Sequence, residues 1–267
     1  MSARDTIDLV GRTITRETLG AVVRAKSARA DNAVRIAILA NLRAVDPRPL
    51  EREDFLAAAR DWGLAASDSA ADINGAAAVL HALADAESGQ WGGFDDRGRP
   101  TILVEPHIFS KLTAHAFDRT HPWISYPTWT PWKKNAPPPA QFPVHPYEYG
   151  MDDRWGLVLL MAELDYDAAC GSVSAGRFQQ ITGSPRANMG WKALGFANAE
   201  ALLVKLAKSE RDQLEVLQIF LRANGLIPAF RARDWEKIAR GYNGPGQVAV
   251  YSKRMADAFK RRARTYA

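Results

Sequence analysis

Two glutamates near the middle of the chain stand where a carboxyl group could take part in catalysis. Glu87 ends the apolar helical run NGAAAVLHALADAESG, just before Gly89, and Glu105 ends the strand-forming run TILVE, just before a proline. Cleavage of a glycosidic bond uses two carboxyl groups. One protonates the leaving oxygen, and the other activates water or supports the positive charge that develops on the sugar. The two glutamates are therefore candidates for such a pair.

The position of Glu87 in its run predicts surroundings that suit a general acid. Glu87 follows Leu80 by seven residues and Leu83 by four, so it projects from the apolar side of the helix. Burial disfavours the carboxylate anion and raises the pKa, so that the carboxyl keeps a proton it can donate near neutral pH. Glu105 shares a strand face with Leu103, where the strand enters a loop.

A structural interpretation of the same residues is also open. Glutamates are common at helix ends, and Glu87 would then be an exposed helix-end charge. Glu105 would be a surface residue in an ion pair with Arg97 or Arg99. The spacing alone favours this structural interpretation, and only the other segments of the chain favour the catalytic one.

The segment that precedes these glutamates is predicted to be helical. Residues 1 to 49 are rich in Arg and Ala, and DNAVRIAILANLRAV is the clearest helix, with Asp31 as a possible cap. The turn DPRPL separates it from LEREDFLAAARDWGLA, an amphipathic helix that ends near Gly63. The apolar stripe of the first helix consists of Val34, Ile38, Leu42 and Val45.

The helix of Glu87 is predicted to begin at an N-cap, Asn74, and to stop at Gly89. One strand follows at residues 101 to 105, and a loop dense in proline and aromatic residues occupies residues 126 to 150. The rest is helical, including SERDQLEVLQIFLRANG with Ser209 as its cap. One small strand region among many helices predicts an α+β, predominantly helical fold.

Composition limits the class of protein more than its partner. The chain has 267 residues, 47% of them hydrophobic, enough for one large domain. A net charge of +5 favours an acidic partner, such as nucleic acid, anionic lipid or bacterial cell wall. The single cysteine, Cys170, fits a reducing cytosol, and we expect neither a signal peptide nor a membrane-spanning helix.

Four motifs in order resemble a known family. ESG at residues 87 to 89 is followed by GRPTILVEPHIF, by GSVSAGRFQQITG and by RGYNGPG. Together they resemble the N-acetylmuramidase family of bacteria and phages, which belongs to the lysozyme-like superfamily and occurs in many endolysins. The second motif is similar to that family's GRPxILFExHxF, and LEREDFLAAARDWGL is similar to its opening helix. The resemblance runs from about residue 50 to the C-terminus.

This resemblance implies a lysozyme-like fold with a small β region and assigns roles to particular residues. It implies that Glu87 is the catalytic glutamate at a helix end and that Glu105 and His107 form the family's Glu-x-His segment. Substrate-binding positions in the saccharide groove would be His107, Ser174, Gln179, Tyr242 and Asn243. Two departures affect the groove: Ala175 stands where the family has a large residue, and FQQITG is one residue longer than its counterpart.

Other residues have a structural and a functional interpretation. His107, His115 and His121 could bind zinc, but without the HExxH spacing we prefer hydrogen-bonded structural histidines. The aromatic residues of the proline-rich loop could stack on sugars or only hold the loop together. They are Trp123, Tyr126, Trp129, Trp132, Tyr147 and Tyr149. The basic C-terminal segment, with Val250, Met255 and Phe259 as its apolar side, could be a solvated helix or could contact an anionic envelope.

The sequence thus predicts a helical accessory segment at 1–49, dispensable for bond cleavage, and a catalytic domain at 50–267. We expect a peptidoglycan hydrolase that cleaves between N-acetylmuramic acid and N-acetylglucosamine, with no cofactor and no metal. The biological expectation is a monomeric phage or prophage endolysin, held in the host cytoplasm until the membrane is permeabilised. It would bind peptidoglycan glycan strands, without nucleic acid and without stable membrane insertion. A lytic transglycosylase, a non-catalytic wall-binding or phage structural protein, an injected antibacterial toxin and, on charge alone, a nucleic-acid-binding protein are the alternatives.

Overall fold

The computed structural model describes residues 6–8, 13–15, 28–128 and 149–267. Within these ranges the fold is predominantly helical with small sheets, so the predicted α+β class is confirmed. Short 3-10 helices also occur at Gly89–Trp91 and Pro245–Gln247. The α-helices are α1 (Ala28–Ala40), α2 (Arg52–Asp61), α3 (Ala70–Ser88), α4 (Pro106–Leu112), α5 (Met151–Leu164), α6 (Tyr166–Cys170), α7 (Gly190–Ala193), α8 (Ala199–Leu206), α9 (Glu210–Ala223), α10 (Ile227–Ala232), α11 (Trp235–Asn243) and α12 (Val248–Tyr266).

The N-terminal segment contains strands where the sequence predicted helix. Strands β1 (Thr6–Asp8) and β2 (Thr13–Thr15) pair antiparallel, with Ile7 opposite Ile14. The prediction of helices throughout residues 1 to 49 is therefore wrong for these two stretches. Each stretch contains β-branched Thr and Ile, which favour an extended backbone over a helix. The Arg- and Ala-rich composition of the whole segment concealed this local preference.

The second sheet joins the two motif regions. Strands β3 (Ile102–Val104), β4 (Val173–Ala175) and β5 (Gln180–Ile181) form an antiparallel sheet in the order β3-β4-β5. Leu103 lies opposite Ser174 across the first pair. Glu105 immediately follows β3, so this register brings it next to a segment about 70 residues later in the chain.

Helix α1 confirms the predicted helix in this segment, with different ends. Asp31 lies inside its first turn and does not precede it, and the helix stops at Ala40. Leu39 and Leu42 are buried, at 3% and 2% exposure, whereas Val45 lies beyond the helix and is 62% exposed. The predicted apolar stripe therefore extends too far along the sequence, because the helix ends before Val45.

Helix α3 forms the centre of the molecule and ends at the candidate acid. Its N-cap is Ser69, whose hydroxyl accepts a hydrogen bond from the Asp72 N–H at 3.1 Å, so Asn74 as N-cap is wrong. Its end at Gly89, with φ of 56°, is as predicted. The alanine-rich surface of α3 is buried beneath α12 and α2. Small side chains allow these helices to approach closely, and α12 is held along the length of α3.

Aromatic contacts fix the far end of this helix packing. The His81 ring stacks on Phe55 with centroids 4.3 Å apart, and its Nδ1 lies 3.2 Å from the Tyr266 hydroxyl. Burial lowers the pKa of His81 to about 4, so the ring is neutral at physiological pH. None of the helices within the described ranges is long and apolar enough to cross a membrane.

The division of the chain at residue 49 stays a prediction, and contacts cross that point. Leu39 and Leu42 belong to the same apolar core as α3 and α9. Arg35 on α1 forms ion pairs with Asp167 at 2.5 Å and Glu200 at 3.1 Å. Residues 28 to 49 therefore contribute to the stability of the fold, whatever their contribution to cleavage.

We expect Leu42→Ala to lower the free energy of unfolding by about 2–5 kcal/mol, because it removes a buried side chain and leaves a cavity. The matched control is Val45→Ala, three residues away and exposed, which should change it by less than about 0.5 kcal/mol. Urea unfolding measures both. Equal effects of the two substitutions would contradict the placement of residues 28 to 49 in the core.

Candidate active site

Glu87 lies one residue before the end of α3, on the stripe that the sequence predicted. Leu80 and Leu83 on that stripe are fully buried, at 0% and 1% exposure, and Glu87 is partly buried. The Asn243 side chain, at the end of α11, donates a hydrogen bond from Nδ2 to Glu87 Oε1 at 3.3 Å. The structure thus brings together two predicted site residues that are separated by 156 positions.

The surroundings of Glu87 raise its pKa to about 7, from an ordinary value of 4.5. Burial is the largest cause, and the Asn243 amide and the Arg254 guanidinium oppose it by favouring the anion. The position at the C-terminal end of α3 acts in the same direction as burial, because the helix dipole there disfavours negative charge. Glu87 therefore keeps a proton near neutral pH, as a general acid must.

An ion-pair cluster fixes the last turn of α3. Asp85 accepts hydrogen bonds from Arg262 on α12 at 2.6 and 2.8 Å and from Arg177 at 3.2 Å. Arg177 also donates to the Ser88 hydroxyl at 3.2 Å and to the Gly89 carbonyl at 3.3 Å. The residues on either side of Glu87 are thus tied to α12 and to the turn after β4. Ser88 has a structural role here, because its hydroxyl also donates to the Ala84 carbonyl at 3.1 Å.

Tyr242 is a buried residue of the site wall. It is 5% exposed, and its hydroxyl donates to the Phe178 carbonyl at 2.5 Å and accepts a hydrogen bond from Gln180 Nε2. Burial raises the pKa of Tyr242 well above its usual value, and the negative charge of Glu87 adds to the rise. Tyr242 is therefore neutral and holds the β4–β5 turn against α11.

Gln179, the glutamine expected in the groove, is hydrogen-bonded to the backbone. Its φ is 45°, in the left-handed region, and its Nε2 donates to the carbonyl oxygens of Gly176 at 2.9 Å and Thr101 at 3.3 Å. The next glutamine, Gln180, is the one that reaches Tyr242. Because FQQITG has one extra residue, two glutamines lie here, and they form hydrogen bonds to different partners. The substrate-binding role of Gln179 stays a prediction.

Glu105 lies at the junction of β3 and α4. Its Oε1 accepts a hydrogen bond from the Ser174 hydroxyl at 3.2 Å, and its Oε2 lies 3.4 Å from His107 Nδ1 without a hydrogen bond between them. Burial lowers the pKa of His107 to about 4, with Lys111 and Arg186 adding to the fall, so the imidazole is neutral. Ser174 and His107 therefore surround the second carboxyl group, and both were predicted site residues.

Tyr251, in the first turn of α12, lies within reach of the charges of both carboxyl groups. Burial raises the pKa of Tyr251 to about 12, and the charges of Glu87 and Glu105 both contribute to the rise. The guanidinium of Arg254 lies over the Tyr251 ring, 5.5 Å from its centroid, and donates to the Ala86 carbonyl at 3.1 Å. The charges of both glutamates therefore disfavour ionisation of the Tyr251 hydroxyl.

The structural interpretation of Glu105, an ion pair with Arg97 or Arg99, is wrong about the partners. Arg97 pairs with Asp152 at 2.8 Å, and Arg99 pairs with Asp95 at 2.7 Å and also with Asp152. Both arginines are thus engaged elsewhere. Glu105 remains beside Ser174 and His107.

The other histidines are hydrogen-bonded to neighbouring side chains. His115 Nδ1 lies 2.8 Å from the Ser110 hydroxyl and 3.0 Å from Asp118, and His121 Nδ1 lies 3.0 Å from the Thr120 hydroxyl. Across the described ranges, no group of three or more His, Cys, Asp or Glu side chains could hold a metal ion. Cys170 is buried, and burial raises the pKa of its thiol to about 12.

The aromatic loop and the C-terminal segment fall partly inside the described residues. Trp123, Tyr126 and Tyr149 lie in the described ranges, and all three are at least partly buried. The predicted aromatic residues Trp129, Trp132 and Tyr147 lie outside those ranges. In α12, Met255 is buried at 1% exposure, whereas Val250 is 58% exposed, so the predicted apolar side of this helix does not form one continuous outer surface.

Several residues of the site were missed from the sequence. Asp85 and its arginine partners are 92 and 177 positions apart, so no local spacing signals their contact. Tyr251 follows the turn GYNGPG by only a few residues, which was an available signal. Gln180 was ambiguous, because either glutamine of FQQITG could match the family's single one.

Comparison with known proteins finds a matching family and a similar fold. The family model for Muramidase, described as N-acetylmuramidase, matches residues 76–263, more than two thirds of the chain, and this range contains every site residue named above. The crystal structure of the Burkholderia AP3 phage endolysin is similar in fold, with a TM-score of 0.60. It has 23% sequence identity, over 94% of this chain and 95% of that chain. No curated protein sequence matches the chain.

The raised pKa of Glu87 predicts a pH-dependent cost to stability. The unfolded chain releases the Glu87 proton above about pH 4.5, whereas the folded protein holds it until about pH 7, so the cost grows between these values and is complete above them. Glu87→Gln removes the charge and the cost. The free energy of unfolding of this variant, relative to wild type, should rise from near zero at pH 4 to on the order of 2–3 kcal/mol at pH 8.

Urea unfolding at pH 4, 6 and 8 measures this difference. Glu163→Gln on α5 is the matched control, because Glu163 is exposed. Its effect should be small and the same at each pH. A difference between Glu87→Gln and wild type that stays constant from pH 4 to 8 would contradict the burial of Glu87.

Proposed function

Since the chain belongs to the N-acetylmuramidase family, we propose that it hydrolyses the bond between N-acetylmuramic acid and N-acetylglucosamine, with Glu87 as the general acid. The protein is a peptidoglycan hydrolase of the lysozyme type. One observation carries the assignment of Glu87. Its carboxyl group lies at a helix end, accepts a hydrogen bond from Asn243 and has a pKa of about 7. A carboxylic acid with that pKa is protonated when the substrate binds and can release the proton during reaction.

In the proposed reaction Glu87 protonates the glycosidic oxygen while the bond to the sugar breaks. The Asn243 amide hydrogen bond stabilises the Glu87 anion that results. Glu105 acts on the other side as the base for water or as the electrostatic partner of the positively charged sugar. The Ser174 hydroxyl, 3.2 Å from Glu105 Oε1, orients this second carboxyl group, and the His107 ring lies beside it, with Nδ1 3.4 Å from Oε2.

The biological role we infer is that of a phage or prophage endolysin. The similarity in fold to the Burkholderia AP3 phage endolysin extends over nearly all of both chains and supports this inference. The protein would act as a monomer on the cell wall after the host membrane is permeabilised. A contact of α12 with the anionic envelope would use its outward cations, such as Lys253 and Lys260, because Met255 lies in the core.

A lytic transglycosylase is the nearest alternative reaction. It uses one glutamate and releases a 1,6-anhydro sugar, so it has no need of a second, positioned carboxyl group. The hydrogen bond from Ser174 to Glu105 favours hydrolysis over this alternative. Mass spectrometry of products from purified peptidoglycan separates the two, because hydrolysis by a muramidase leaves reducing-end muramic acid and a transglycosylase leaves anhydro-muramic acid.

The proposal predicts that Glu87→Gln is stable, binds cell wall and is lytically inactive. Glutamine keeps the size of the side chain and can accept the Asn243 hydrogen bond, but it has no proton to give to the glycosidic oxygen. Release of reducing sugars from purified peptidoglycan measures turnover, with Glu163→Gln as the active control. A Glu87→Gln enzyme within tenfold of the wild-type rate would refute the mechanism.

For the second carboxyl group we expect Glu105→Gln to lower kcat by at least ~100-fold while binding to insoluble peptidoglycan is retained. The amide can still accept a hydrogen bond from Ser174, so the local structure should persist. The same reducing-sugar assay and a pull-down with cell wall measure the two effects. Near wild-type turnover would give Glu105 a structural role and favour the transglycosylase alternative.

A further inference from the structure

An exposed tryptophan lies one short helical turn beyond the candidate acid. Trp91 ends the 3-10 helix Gly89–Trp91, which continues directly from α3, and its side chain is 60% exposed. Among the exposed large apolar side chains of the described ranges, it is the only aromatic one. The others are Val45, Leu112, Leu160, Ile219 and Val250.

A single exposed apolar side chain is common on protein surfaces and by itself indicates no function. Trp91 combines an aromatic side chain with a position close along the chain to the reacting group. It lies four positions after Glu87, and a step of four residues spans at most about 14 Å, even when fully extended. A glycan strand that places one glycosidic bond at Glu87 extends several sugar rings to either side, so its neighbouring rings come within this distance.

The backbone around Trp91 is held on both sides. Before it, Arg177 donates to the Gly89 carbonyl at 3.3 Å. After it, the Thr101 hydroxyl donates to the Gly92 carbonyl at 2.8 Å, and the Gly93 N–H donates to Oε1 of Glu210 at 2.7 Å. Glu210 is 4% exposed, so this last anchor is buried.

Gly93 has no room for a side chain, which tightens this anchor further. A Cβ atom there would lie 2.5 Å from Gln213 Oε1 and 2.6 Å from Glu210 Cγ. The indole of Trp91 is therefore presented to solvent from a segment fixed at both ends. Such a side chain loses little conformational freedom when a ligand covers it, which favours binding.

We propose that the Trp91 indole is a stacking surface for a sugar ring of the peptidoglycan strand, in a subsite next to the cleaved bond. The inference rests on the proposed function, because it takes the position of the strand from Glu87. A flat aromatic ring buries the apolar face of a sugar ring, and an exposed tryptophan offers the largest such area. The subsite contributes to substrate affinity and leaves the proton transfer unchanged.

The test uses soluble, uncrosslinked glycan strands of alternating N-acetylglucosamine and N-acetylmuramic acid. In the full-length active enzyme, Trp91→Ala should raise KM by ~10-fold, with kcat within about threefold of wild type and the pH profile unchanged. Trp91→Phe keeps a flat ring and should stay within about threefold of the wild-type KM. Leu160→Ala, which removes an exposed apolar side chain from α5, should leave KM unchanged.

Binding of the same strands in the Glu87→Gln background separates this inference from the proposed function. Adding Trp91→Ala to that variant should weaken binding by ~10-fold, as measured by calorimetry. If wild type cleaves the strands and Trp91→Ala changes neither KM nor binding, the subsite is refuted and the function stands. If wild type fails to cleave them but binding still depends on Trp91, the function is refuted and the subsite stands. An equal loss in Leu160→Ala would also refute the subsite.

Discussion

A carboxyl group that must keep its proton near neutral pH has to be shielded both from water and from positive charge, and the structure around Glu87 meets this constraint. The protein carries more cations than anions, and three arginines lie near the end of α3. Asp85 pairs with two of them, Arg177 and Arg262. The third, Arg254, donates to a backbone carbonyl and lies over the ring of Tyr251. With these cations engaged, burial remains the largest effect on the pKa of Glu87.

The rest of the fold can be understood as the means of assembling this environment. The alanine-rich surface of α3 lets α12 lie close along it, and α12 carries Tyr251 and Arg254 to the same helix end. The β3-β4-β5 sheet brings Ser174 to Glu105, and the turn after β4 supplies Arg177. These parts are far apart in sequence, so the site exists only when the whole domain is folded.

Most helices could be predicted from periodicity and caps, because their apolar stripes face the core at ordinary helical spacing. The Ser209 cap was predicted from the capping spacing of Ser209 and Asp212, and the Ser209 hydroxyl accepts a hydrogen bond from the Asp212 N–H at 3.0 Å. Glu87 was predicted from the same stripe. Periodicity failed where local chemistry competed with it, as in the β-branched strands β1 and β2 and at the N-cap of α3.

The tertiary contacts of the site could not be predicted from spacing. The pairing of Asp85 with Arg177 and Arg262 has no local signature, since each partner lies on a different element. Gln180, and not Gln179, forms the hydrogen bond to Tyr242. This depends on the left-handed backbone at Gln179, which the sequence motif does not reveal. Resemblance to a family singled out the two glutamates as candidates, and the burial of Glu87 and the hydrogen bond of Glu105 support their proposed roles.

The role of Glu87 as general acid requires that this residue itself keeps its proton to about pH 7. It is tested most directly by the side-chain carboxyl resonances of 13C-glutamate-labelled protein, followed by NMR between pH 3 and 9. One glutamate resonance should titrate near pH 7 and should be missing from the spectrum of Glu87→Gln. Assignment of the Glu87 resonance to a titration near the ~4.3 of a free glutamate would contradict it.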